Sequence, residues 1–116
     1  MSRPRLTPEE LGPLLARSWS PQTSSRWRAD NPALGQCGVT ALVVHRLCGG
    51  EILKTDTEDG PHFYNRIEGL RHDFTASQFA DLPAYCDLPS DADEAMAGTT
   101  AEQLAALMRG VGRDDG

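Results

Sequence analysis

The stretch from Gln36 to Cys48, QCGVTALVVHRLC, constrains this chain more than any other. Read as a helix, it carries Val39, Ala41, Leu42, Val43, Val44 and Leu47 nearly all round. A helix of that kind has no solvent face, so other elements must pack on several of its sides. Gly49-Gly50 stops it, and Asn31-Pro32-Ala33-Leu34-Gly35 leads into it. The rest of the chain is best read as the material that covers this helix.

An N-terminal helix is predicted over residues 7–19. Thr7, Pro8 and Glu10 form a capping box with proline at the first helical position, and Leu11, Leu14, Leu15 and Trp19 make one apolar stripe. Pro13 works against it by removing a helical hydrogen bond. Ser20 to Asn31 is rich in turn formers and reads as an irregular loop with Trp27 tucked inward. After the central helix come three strand candidates, Glu51–Thr57, Pro61–Ile67 and Leu70–Thr75, with turn signals at Asp59-Gly60 and Glu68-Gly69. A short helical turn is expected at Ala76–Phe79, and the acidic residues 80–98 read as a surface loop. Thr100 and Gln103 cap a last helix, residues 99–111, whose stripe is Leu104, Leu107, Met108 and Val111; a solvated tail follows. The expectation is an α+β fold in one domain, residues 1–116, with the buried helix on a small antiparallel sheet and a helix flanking it at either end.

Composition narrows the function classes. A chain of 116 residues with 39% hydrophobic and 24% charged residues has the make-up of a globular domain. A formal net charge of −6 argues against a nucleic-acid partner, which requires a basic surface. Arg3, Arg5, Arg17, Arg26 and Arg28 make the first third locally basic and Asp81–Glu94 is acidic, both read as solvated faces. No apolar run reaches the ~20 residues of a membrane span, and no signal-peptide core opens the chain, so a cytoplasmic protein is expected without a membrane partner. Three cysteines, an odd number, suit a reducing compartment. Cys37 and Cys48, at opposite ends of one helix, would lie about 16 Å apart, too far to bridge.

The chemistry centres on Cys37. At the first turn of a helix a thiol feels unpaired amides and the positive end of the macrodipole, which favour thiolate. Gly35 and Gly38 near it would let a substrate carbonyl approach the backbone. The Cys37 N–H, with the amide of Gln36 or Asn31, would supply an oxyanion site. Alone, Cys37 is more simply a small buried hydrophobe.

His62 and Asp73 add to this. With Glu68-Gly69 as a two-residue hairpin turn, Ile67 faces Leu70, Asn65 faces His72 and Tyr64 faces Asp73. His62 and Tyr64 then share a face that Asp73 joins, within reach of the imidazole. A slip of one residue would undo this. The set Cys37, His62, Asp73 has the make-up of nucleophile, base and orienting acid, with Tyr64 beside them as a substrate-binding candidate; a structural His–Asp pair would use the same spacing. His45 and His72 fall outside the set. A metal site could use Cys37, His62 and Asp73, or His45 and Cys48 spaced i, i+3 on the helix, but no CxxC or HxxxH pair is present and no metal or cofactor is expected. Cys48 and Cys86 are expected to be chemically silent relative to Cys37.

The runs NPALGQCGVTALVV, GGEIL, PHFYNRI and DFTASQF resemble the YunG-like family of small bacterial proteins, over roughly Trp19 to Phe79. That family is of uncertain activity. More loosely, a cysteine opening the central helix, followed by histidine and aspartate, is similar to papain-like and transglutaminase-like cysteine enzymes. This likeness implies a papain-like core, with Cys37 as nucleophile, His62 as base and Asp73 as orienter. Papain-like enzymes place an oxyanion glutamine about six residues before the cysteine; here Asn31 stands there and the glutamine is Gln36. The function these readings favour is a thiol hydrolase or acyltransferase acting on an amide, isopeptide or thioester of a small molecule or peptide. The alternative is a non-catalytic binding module, since a short chain leaves little room for a deep cleft; a homodimer would enlarge it.

Overall fold

The computed structural model describes residues 6–112, so Arg3, Arg5 and the tail after Gly112 lie outside it. Helix α1 runs Pro8–Ser18 behind the expected capping box: Glu10 N–H donates to Thr7 Oγ1 at 3.2 Å, and Thr7 N–H to Glu10 Oε1 at 3.0 Å. Pro13 sits inside α1 without ending it, because Leu11 and Leu15 on either side are fully buried. Trp19 is the C-cap, and its indole N–H donates to Thr40 Oγ1 at 3.0 Å, tying α1 to the next helix. Trp27, in the loop, is half-buried.

Helix α2, Cys37–Cys48, is the apolar stretch, with every residue from Val39 to Val44 buried. Strands β1 (Glu51–Thr57), β2 (Gly60–Ile67), β3 (Leu70–His72) and β4 (Leu88–Pro89) form an antiparallel sheet in the order β3-β2-β1-β4. The β2–β3 register is the expected one, with Ile67 opposite Leu70 and Asn65 opposite His72. Glu68 (φ 51°) and Gly69 (φ 82°) both take left-handed conformations, as a two-residue hairpin turn with the right twist requires.

Two expectations need correction. The strand predicted over Leu70–Thr75 stops at His72. Asp73 Oδ1 accepts from the Thr75 N–H at 3.2 Å, and this local turn competes with the ladder; a 3₁₀ turn, Ala76–Gln78, follows. The region read as a loop over residues 80–98 contains β4 and a short helix α3, Ala92–Met96, whose N-cap Asp91 accepts from Glu94 N–H at 2.8 Å. Lys54 of β1 pairs with Glu94 of α3. Isolated acidic residues in this region thus cap and anchor rather than merely solvate.

The last helix, α4 (Ala101–Gly110), has the expected capping box and stripe. Its Leu107 and Met108, with Val111 just beyond, pack with Leu11, Leu15, Val43 and Val44 on one side of α2. Phe63 and Ile52 pack with Ala41, Leu42 and Ala95 on another. Asn65 shares the Phe63 face of β2 and donates to the Ala41 carbonyl at 3.1 Å. By alternation, His62 and Tyr64 point to the opposite face of the sheet with Thr55 and Leu53, where residues 79–87 cover them. Among the described residues no helix is long and apolar enough to cross a membrane. Leu15→Ala should lower the unfolding free energy by about 2–5 kcal/mol in urea titration, and Leu70→Ala by less than about 0.5 kcal/mol. The contrast follows from exposures of 0% and 65%.

Candidate active site

Cys37 is the first residue of α2 and is partly exposed. The N-termini of α1, α3 and α4 are each closed by a side-chain cap; that of α2 is not. Its N-cap, Gln36, makes no capping bond, so the first-turn amides keep their donor capacity beside the thiol. They also concentrate the positive end of the helix dipole there.

The sheet supplies the second component. Because β3 ends opposite Asn65, the part of β2 toward Gly60 has no strand on that side. Cys37 from α2 and Gln78 and Phe79 from the 3₁₀ turn meet His62 at this end. With Arg26 and Asp59 they line a cleft of about 90 Å³. The helix therefore reaches His62 at the end of the sheet with its first residue, not by lying across the face that bears it.

His62 is buried, and its Nε2–H donates to Asp73 Oδ2 at 2.7 Å. Phe79 meets the ring edge-on, with centroids 4.8 Å apart, and Tyr64 stacks on it at 5.9 Å. Burial alone would lower the imidazole pKa, but the hydrogen bond to Asp73, the nearness of Cys37 and the charges of both outweigh it and push it up to about 9. Nδ1, the nitrogen left for Cys37, is buried without a completed hydrogen bond, so the thiol is beside the ring but not locked onto it. Asp73 is held below the usual carboxylate range: burial opposes this, and donors from His62, Tyr85 and the Thr75 backbone override it.

The structure thus brings Cys37, His62 and Asp73 together, while the three accessory residues divide. Gln36 is fully buried, with neither Nε2 nor Oε1 partnered, immediately before Cys37. Asn31 is spent elsewhere: its Nδ2–H donates to the Gln78 carbonyl at 3.1 Å, joining the loop before Cys37 to the turn after Asp73. Tyr64 offers the site its ring, because its hydroxyl donates to Asp87 Oδ1 at 2.9 Å and accepts from the Asp87 N–H at 2.7 Å. The glycines also carry constraints of the fold. Gly35 has φ 75° with Ser24 and Arg26 against it, and a Cβ on Gly38 would press on Thr99 and the Ala95 carbonyl. Cys48 is buried, with its thiol on the Leu6 carbonyl at 3.2 Å, whereas Cys86 is exposed. Among the described residues no cluster of three or more His, Cys, Asp or Glu is arranged to hold a metal ion.

Two contributors were missed in the sequence. Phe79 walls the imidazole, and Tyr85 donates to Asp73 Oδ2 at 2.7 Å. The only signal for Tyr85 was an aromatic residue inside an otherwise acidic, proline-containing stretch.

A family model described as YunG protein matches residues 7–114. The chain belongs to the YunG family. It is 42% identical over 105 residues to the uncharacterized protein YunG of Bacillus subtilis (strain 168), covering 90% of this chain and 91% of that one. The match to the family extends through α4, well beyond the Trp19–Phe79 motifs. No solved structure matches the chain.

The raised imidazole pKa has a measurable consequence for stability. A histidine that binds its proton more tightly when folded contributes its full stabilisation below the unfolded value of about 6.5. That contribution is lost as pH rises through the folded value of about 9. The unfolding free energy should therefore fall, by on the order of a few kcal/mol, between pH 6.5 and 9. Urea titrations across that window should show a shallower fall in Asp73→Asn, which lacks the charge that holds the proton.

Proposed function

We propose that the chain is a cysteine-dependent hydrolase or acyltransferase that acts on an amide, isopeptide or thioester. The observation that carries this reading is where the unsatisfied polar atoms lie. Among the described residues, the buried side-chain nitrogens and oxygens without a partner are Trp27 Nε1, Gln36 Nε2 and Oε1, and His62 Nδ1. Native interiors leave few such groups. Here three of the four belong to the residue before Cys37 and to the imidazole beside it.

In this reading Cys37 Sγ attacks the substrate carbonyl carbon, and its proton resides on His62. The first-turn amides of α2, with the Gln36 amide, stabilise the tetrahedral oxyanion. The imidazolium then gives its proton to the departing nitrogen or sulfur as the C–N or C–S bond breaks, leaving an acyl-thioester on Cys37. A water or an acceptor amine, deprotonated by His62, attacks that thioester and restores the thiolate. Asp73 stays ionised throughout and supports the imidazolium. The order Cys37, His62, Asp73, with the cysteine opening a helix and the histidine on an antiparallel sheet, is similar to papain-like enzymes and supports a papain-like assignment.

The cleft of about 90 Å³ is well under the roughly 300 Å³ of a pocket that encloses a ligand. This favours a substrate that lies across the cleft with a small acyl group or backbone carbonyl inserted. Activation is tested by rate-versus-pH alkylation with iodoacetamide, each cysteine being followed by mass mapping. Cys86, which is exposed, serves as the internal reference for an ordinary accessible thiol. Near pH 6.5, Cys37 should react at least about tenfold faster than Cys86, and His62→Ala should abolish the excess. Asp73→Asn should reduce it more weakly, and His72→Ala should leave it unchanged. Equal rates at Cys37 and Cys86 would turn the site into a structural cluster and favour a binding module.

A further inference from the structure

We propose that Tyr85 is a positioning residue for His62, its hydroxyl fixing the Asp73 carboxylate in the orientation from which Oδ2 meets the imidazole. This rests on the proposed function only in treating the imidazole as a proton carrier. Asp73 Oδ2 receives both the imidazole N–H and the Tyr85 hydroxyl at 2.7 Å. Oδ1 receives the Thr75 N–H at 3.2 Å and its hydroxyl at 3.3 Å. Thr75 holds Asp73 from its own turn, whereas Tyr85 holds it from the segment that covers this face of the sheet.

The placement of Tyr85 is itself built. Residues 81–87 carry no regular structure, yet they are pinned on both sides of the tyrosine. The buried Thr55 hydroxyl donates to the Ala84 carbonyl at 2.6 Å and accepts from the Cys86 N–H at 3.1 Å. The next residue, Asp87, takes a left-handed conformation (φ 53°), bonds the Tyr64 hydroxyl and holds Arg71 through two bonds of 2.9 and 2.7 Å. The Arg71 guanidinium lies over the Tyr85 ring at 4.7 Å, and the ring meets Tyr64 edge-on at 5.0 Å. A loop held at residues 84, 86 and 87 presents residue 85 in one orientation, and that orientation ends on Asp73.

The groups facing the imidazole are Asp73 from the turn after β3, Cys37 from α2, Tyr64 from its own strand and Phe79 from the 3₁₀ turn. Arg71, Asp87 and Tyr85 stand one layer behind. Tyr85→Phe removes the hydroxyl and keeps the ring contacts, so the loop keeps its anchors. The decisive readout is the titration of the His62 ring nitrogens by NMR in the full chain, which does not depend on turnover. In Tyr85→Phe the midpoint should fall by about one unit toward the ordinary histidine value, because the freed carboxylate swings off the ring. Asp73→Asn should fall further. Asp73→Asn combined with Tyr85→Phe should match Asp73→Asn alone, since Tyr85 acts through the carboxylate. An unchanged midpoint, an additive double variant, or a midpoint that rises because the tyrosine only drains charge from Asp73 would each overturn the proposal. An unreactive Cys37 with the expected midpoints would sink the enzymatic reading and leave this one standing.

Discussion

The need to cover α2 on all sides organises the whole molecule. Its stretch from Val39 to Val44 is buried, so α1 and α4 pack on one side, the Phe63 face of the sheet on another, and α3 beside its start. What this packing leaves partly exposed is Cys37 at the N-terminal tip, next to a fully buried Gln36. A helix tip leaves amides without intrahelical acceptors, and among the described residues three of the four α-helices resolve this with a capping side chain. The central helix does not, and the residue placed there is Cys37. The uncapped tip and the short β3 open the same end of the molecule. A strand continued past His72 would have lain along β2 beside His62.

Those parts of the fold set by local rules were legible in the sequence. Capping boxes at Thr7 and Thr100, the apolar run of α2 and the Glu68-Gly69 turn each act within a few residues, and each formed where expected. The hairpin register carried over to three dimensions, which is why His62 and Asp73 were found as a pair. Where the reading failed, distant partners decided the outcome. Strand β4 exists because residues 53 and 54 of β1 offer Leu88 and Pro89 an edge, and α3 because Asp91 caps it while Lys54 holds Glu94. Asn31 looked like an oxyanion donor by spacing to Cys37, yet its amide is taken by the Gln78 carbonyl, a residue remote in sequence. Tyr85 could not be assigned from its surroundings in the chain, because Thr55, Tyr64 and Arg71 place it.

Energetics make the polar layer the unusual part of this protein. Burying a histidine–aspartate pair costs desolvation that Coulomb attraction recovers only when the remaining lone pairs and protons are satisfied. On the Asp73 side they are, with Thr75, Tyr85 and His62 all donating. On the Cys37 side they are not: Nδ1 and the Gln36 amide have no hydrogen-bond partner in the protein. The polar layer borders the apolar core directly, since Cys37 packs against the cluster around Phe63. A layer selected for folding alone would close its hydrogen bonds on both sides of the imidazole. This one closes them on the side away from Cys37, which holds the ring still, and leaves Nδ1 without a partner on the side of the thiol.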